Sequence, residues 1–145
     1  MDIYHYLIYK LPQIIPFNAA VIFDIDGTLF KINEYGQPIG PQQEIINFFH
    51  YCRNRGITTF IVTARLGLPL NVSHTIKQLE GYNIKDFQGI YFLKDSQINP
   101  TIYKTDARKE ISQNFNIIMS IGDNTCDVGL YGGIGILIKS PTSDF

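Results

Sequence analysis

The sequence predicts an α/β fold: a doubly wound, mostly parallel five-stranded sheet with helices on both faces. Three observations carry that prediction. Short continuous apolar runs such as Ala20-Val21-Ile22-Phe23 fit strands that are covered on both sides. Stretches with helical apolar spacing lie between those runs, which is the βαβ rhythm of a parallel sheet. Finally, Asp24, Thr63 and Asp123 each stand just past a predicted strand, so a doubly wound sheet would bring them to one edge, where such sheets bind ligands.

Taken in order, residues 1–17 are rich in Tyr, Ile and Leu and are expected to form a short helix or arm packed on the domain. They lack a basic leading segment, and His5, Lys10 and Pro12 interrupt the apolar run, so no signal peptide is expected. No apolar run approaches the length of a bilayer span, and the expected location is cytoplasmic. The main domain is expected over 18–140, with a loose tail over 141–145. Its first strand is residues 20–23. Pro41 can open the next helix, because the missing N–H is not needed there, and Ile45, Ile46, Phe48, Phe49 and Cys52 populate it until Gly56. The second strand is 58–62. A loop with Gly67 and Pro69 leads to a helix from near Asn71, with Val72, Thr75, Ile76 and Leu79 on one face and Gly81 as its stop. The third strand is 90–93. After a polar loop through Pro100, a helix is expected from about Thr105, as its cap, to Asn114. The fourth strand is 116–121, a short helical turn carries Asp127, and the fifth strand is 134–138.

A chain of 145 residues fits one domain with one core. With 45% hydrophobic and 17% charged residues it is globular and poorer in charge than average. A formal net charge of −1 argues against a dedicated nucleic-acid binder, which normally shows a basic stripe; it leaves room for an enzyme that touches nucleic acid only at an end. Two cysteines, Cys52 and Cys126, make no disulfide framework and favour a reducing compartment.

The chemistry sits in four short stretches: Asp24-Ile25-Asp26-Gly27-Thr28, Thr63, Lys104, and Gly122-Asp123-Asn124-Thr125-Cys126-Asp127. Asp24 can be aimed rigidly from a strand end, and a carboxylate there can attack phosphorus to give an aspartyl-phosphate. Asp26 can give a proton to the leaving alkoxide and later take one from water. Gly27 permits the tight turn that brings both carboxylates around one phosphate, with Thr28 beside it. The Thr63 hydroxyl can donate to a phosphoryl oxygen. Lys104 can neutralise the nucleophile and the charge that spreads over the equatorial oxygens; Lys94, which also follows a strand, competes for that role. Magnesium wants oxygen ligands and keeps several waters. Asp24, the backbone carbonyl of Asp26, and Asp123 supply such ligands, with Asp127 acting through a water or orienting Asp123. Arg65 either reaches a substrate phosphate or pairs on the surface, and Arg108 is expected as a helix-surface partner of a nearby acid. His5, His50 and His74 have no metal-like spacing and receive no role. Cys126 is expected as a packed free thiol.

On these four stretches and their order the chain resembles the haloacid dehalogenase-like (HAD) superfamily, over nearly its whole length. The resemblance implies Asp24 as nucleophile, Asp26 as acid/base, Thr63 as the hydroxyl, Lys104 as the cation, and Asp123 with Asp127 in the metal-binding motif. The second Asp of the first motif is similar to that of phosphatases; dehalogenases lack it. Thr63-Ala64-Arg65, Tyr103-Lys104-Thr105 and Gly122 to Asp127 look most like the class B-like acid phosphatases of subfamily III. The capless phosphatase domain of polynucleotide kinases is the next resemblance. The intervals between motifs leave no room for a cap domain, so the site is expected to be open, taking a large phosphorylated substrate or borrowing cover from another subunit in a homo-oligomer. The flap over 31–40 is the one lid candidate.

The expectation is a magnesium-dependent phosphomonoester hydrolase with no membrane partner. A polynucleotide 3′-phosphatase and a non-catalytic binding or storage protein of the same fold are the alternatives.

Overall fold

A computed structural model of the protein describes residues 1–139; the expected tail over 141–145 lies outside them. Five parallel strands form the main sheet in the order β5-β4-β1-β6-β7. They are β1 (Ala19–Phe23), β4 (Thr58–Leu66), β5 (Gly89–Leu93), β6 (Asn116–Gly122) and β7 (Ile134–Leu137). The helices are α1 (Ile3–Lys10), α2 (Gln43–Asn54), α3 (Pro69–Gly81) and α4 (Pro100–Ser112). This is the doubly wound α/β fold that the sequence predicts, and no cap domain interrupts it among the described residues.

Alternation along β1 explains why its sequence is apolar at every position. Val21 and Phe23 face a core built with Leu7 of α1, Ile45, Phe48, Phe49 and Cys52 of α2, and Leu79 of α3. Ala20 and Ile22 face the opposite core, with Phe60, Val62, and Ala107 and Ile111 of α4. All five residues of β1 are therefore buried. The chain leaves β1 toward β4 and β5, then returns through α4 to β6 on the other side of β1. The winding reverses at the carboxyl end of β1, where Asp24 stands.

Three local differences from the sequence expectation bear on the site. First, Pro41 does not open a helix; it closes β3 (Pro38–Pro41), which pairs antiparallel with β2 (Phe30–Ile32). The expected flap is thus a hairpin, and α2 begins only at Gln43. Proline is tolerated in β3 because a two-stranded ribbon leaves an open edge on each strand. Second, α4 starts at Pro100, not at Thr105: the Asn99 side chain accepts from the N–H groups of Thr101 and Ile102. Third, β4 runs on to Leu66, so Thr63 and Arg65 belong to the strand itself. At Asp2 the side chain accepts from the His5 N–H and caps α1. No helix among the described residues is long and apolar enough to cross a membrane.

Candidate active site

The turn after β1 is tight. The N–H groups of Thr28 and Phe30 both donate to the Ile25 carbonyl, and that of Gly27 donates to Phe30. Gly27 adopts φ +80°, and a methyl group on it would overlap the Asp123 carboxylate, so glycine is needed both for the backbone and for the space. Asp24 is 6% exposed, and its N–H donates to the Ile121 carbonyl of β6. That bond fixes the end of β1 against β6 just before Asp123.

Lys104 comes from α4 and is 3% exposed. Its Nζ donates to Asp24 Oδ1 at 3.0 Å and to Asp127 Oδ1. Burial alone would lower the ammonium's pKa, but the charges of Asp24 and Asp127 outweigh it and hold Lys104 above its ordinary value. The competing Lys94 is exposed just beyond β5. Lys104 shares its helix face with Ala107, Arg108 and Ile111, all buried. That i, i+3, i+4, i+7 spacing is a core-facing stripe, and it is the sequence signal that marks both cations as inward-facing.

Carboxylate oxygens of Asp24, Asp123 and Asp127 all lie within 4.8 Å of one another. Burial pushes Asp24 well above its ordinary value; Lys104 opposes that rise, and the neighbouring acids add to it. Burial raises Asp123 as well. Three acids gathered around one ammonium leave an excess of negative charge, which a divalent cation would balance. The oxygen donors suit a hard ion such as magnesium, so the residues present fit the expected metal. Asp127 has little freedom of its own: Oδ1 serves Lys104, and Oδ2 accepts from the Asn124 N–H within a capping box. A methyl group on Gly122 would overlap Asp127, which explains the glycine at the end of β6.

Thr63 is buried within β4, and its Oγ1 accepts from the Arg65 N–H at 3.1 Å. Thr28 is buried in the same region, with an Oγ1 that has no partner among the described residues. Arg65 pairs with an acid, but at a part-buried position and not on the open surface. Its Nε and Nη2 bind the two carboxylate oxygens of Asp26 at 2.9 and 2.7 Å, while Nη1 donates to Thr75 and Gln78 of α3. Arg108 is likewise no surface residue. At 2% exposed, it donates to the carbonyls of Cys126, Val128 and Leu130 and to Thr105 Oγ1. It thereby stitches α4 to the loop that holds Asp127. Cys126 is a half-buried free thiol.

A parallel sheet with this strand order, and with an acid cluster at the carboxyl end of its central strand, defines a HAD-like enzyme scaffold. The family described as HAD superfamily, subfamily IIIB (acid phosphatase), matches residues 36–135. The chain belongs to that family and is a phosphoric monoester hydrolase. The matched span holds Thr63, Lys104, Asp123 and Asp127 and begins after Asp24 and Asp26. Among solved structures, the class C acid phosphatase from Bacillus anthracis with tungstate bound is similar in fold. Its TM-score is 0.63 at 17% identity, over 96% of this chain and 72% of that one. No curated protein sequence matches the chain.

Proposed function

We propose that the protein hydrolyses phosphomonoesters with magnesium through an aspartyl-phosphate on Asp24. The observation that carries the proposal is the buried Lys104 shared by Asp24 and Asp127, with Asp123 beside them. Lys104 holds Asp24 Oδ1, which leaves Oδ2 to attack phosphorus. As that P–O bond forms, the ester P–O bond breaks, and Asp26 in its acid form gives its proton to the leaving alkoxide. Water then attacks the acyl-phosphate with Asp26 as base, which releases phosphate and restores both carboxyl groups. The Arg65 fork sets the direction of the Asp26 carboxylate and holds both its oxygens, so one of the two bonds has to open when Asp26 takes up the proton. Thr63 and the unpartnered hydroxyl of Thr28 are the proposed donors to phosphoryl oxygens, near Gly27 in the tight turn.

Asp24, Asp123 and the Asp26 carbonyl are the proposed holders of magnesium, with Asp127 orienting Asp123 or acting through a water. When bound, the ion supplies positive charge that offsets the phosphoryl oxygens' negative charge. The two free thiols support a reducing compartment, and the cytoplasm is the proposed location.

The test is turnover of an aryl phosphate by wild-type protein with magnesium, by EDTA-treated protein and by Asp24→Asn. Wild type is expected to turn over and the other two to fall to background; equal rates in all three sink the mechanism. Asp26→Asn should lose about 10²–10⁴-fold in rate while still binding magnesium. Asp123→Ala should weaken magnesium binding in a calorimetric titration, and unchanged affinity would remove Asp123 as a ligand.

A further inference from the structure

We infer that the cleft between the β2–β3 hairpin and α3 receives the leaving alcohol, and that Asn71 and His74 select an uncharged, hydroxyl-bearing one. The inference rests on the proposed role of Asp26, since the group that protonates the leaving oxygen marks the side on which the alcohol departs. Asp26 and Arg65 line a cleft of about 340 Å³ together with Pro38 of the hairpin, Leu66, and Asn71, His74, Thr75 and Gln78 along α3. That volume lies at the small end of ligand pockets and suits a sugar-sized group.

The Arg65 and Asp26 charges inside the cleft offset each other. Four of the five guanidinium N–H groups of Arg65 are committed: two to Asp26, one to Thr75 and one to Gln78. The Phe30 ring lies 5.9 Å from the Arg65 guanidinium carbon. No lysine and no second arginine lines the cleft among the described residues. A second phosphate on the substrate would therefore enter without a lysine or an uncommitted arginine to meet it.

The open hydrogen-bonding capacity belongs to Asn71 and His74. Both are exposed, three residues apart on one face of α3, and neither side chain has a hydrogen-bond partner among the described residues. An amide and an imidazole each offer a donor and an acceptor, which is what hydroxyl groups require. Pro38 and Leu66 supply apolar surface for the carbon skeleton.

The experiment uses a hexitol monophosphate, the corresponding bisphosphate, inorganic phosphate and acetyl phosphate. In Asp24→Asn protein with magnesium, NMR should show the monophosphate moving the His74 ring and Asn71 amide resonances. Inorganic phosphate should move the Gly27 amide and leave those two in place. Resonances of His74 and Asn71 that stay put at the highest monophosphate concentration overturn the inference, whether or not Gly27 responds. In turnover, His74→Ala and Asn71→Ala should each lower the ratio of kcat/KM for hexitol monophosphate over acetyl phosphate about tenfold, a single hydrogen bond's worth, with His74→Gln recovering part of it. An unchanged ratio overturns the assignment of these side chains. Bisphosphate binding as tight as that of the monophosphate overturns the preference for an uncharged group. If wild-type protein turns over neither the hexitol phosphates nor acetyl phosphate, the hydrolytic reading fails, while the NMR arm still decides the cleft.

Discussion

Arg108 is the residue whose role departs furthest from its appearance in the sequence. A lone arginine on a helix reads as a solvated partner for an acid, yet here it closes the loop after β6. The carbonyls of Cys126, Val128 and Leu130 in that loop belong to no strand ladder, so they need donors from elsewhere, and the guanidinium meets all three. Such demand arises only when the loop and the helix meet in space, so a linear reading misses it. The face shared with Ala107 and Ile111 is the clue that was present. Arg108→Ala should lower stability by about 2–4 kcal/mol, because three loop carbonyls lose a charged donor and a buried side chain is removed. An earlier urea midpoint at unchanged m-value would show it, and a midpoint equal to wild type would contradict the clamp. Asp24, Asp26 and Asp123 were more legible. Their spacing from strand ends is a local property, whereas the bond between Arg65 and Asp26 joins positions 39 apart in sequence.

Among the elements, α4 carries the site lysine, and its start decides where that lysine points. Asn99 followed by Pro100 is a strong entry signal: a side-chain cap and then a residue pre-set for the first turn. A start at Thr105 would have left Lys104 outside the helix; the observed start places it in the second turn, facing the sheet. Asn99→Ala should cost about 1 kcal/mol, readable by urea denaturation, and a neutral substitution would mean that the cap contributes nothing. The hairpin was the least legible element. Pro38, Gly40 and Pro41 argue against strand in any propensity scheme, but the pairing of Phe30 with Pro41 and Lys31 with Gly40 requires only a short ribbon. The buried Phe30 anchors one end of that ribbon under Arg65.

At the scale of the whole molecule, the strand positions follow from the apolar runs, because a strand covered on both faces has no room for alternation. Their spatial order follows from connection rules, and the central place of β1 explains why its run is the purest. Two thiols report on this packing. Cys52 lies in the core beside the phenylalanines of α2, and burial pushes its pKa far above the ordinary value. Cys126 is only half-buried, with a smaller rise from burial and from the Asp127 charge. A raised thiol pKa keeps the unreactive protonated form dominant as pH rises. Iodoacetamide at mildly alkaline pH should therefore label Cys126 slowly and Cys52 only after unfolding; equal labelling of both in the native protein would contradict the core described here.

The pairing of Asp24 with Lys104 spans 80 positions of sequence, and β1 gains its second neighbour only when β6 is made. A chain emerging from the ribosome therefore displays its nucleophile long before the amine that answers it. During that interval one flank of the innermost strand is bare, a surface on which nascent chains adhere to one another. Competence for catalysis and protection from clumping arrive together, once α4 and β6 have been made.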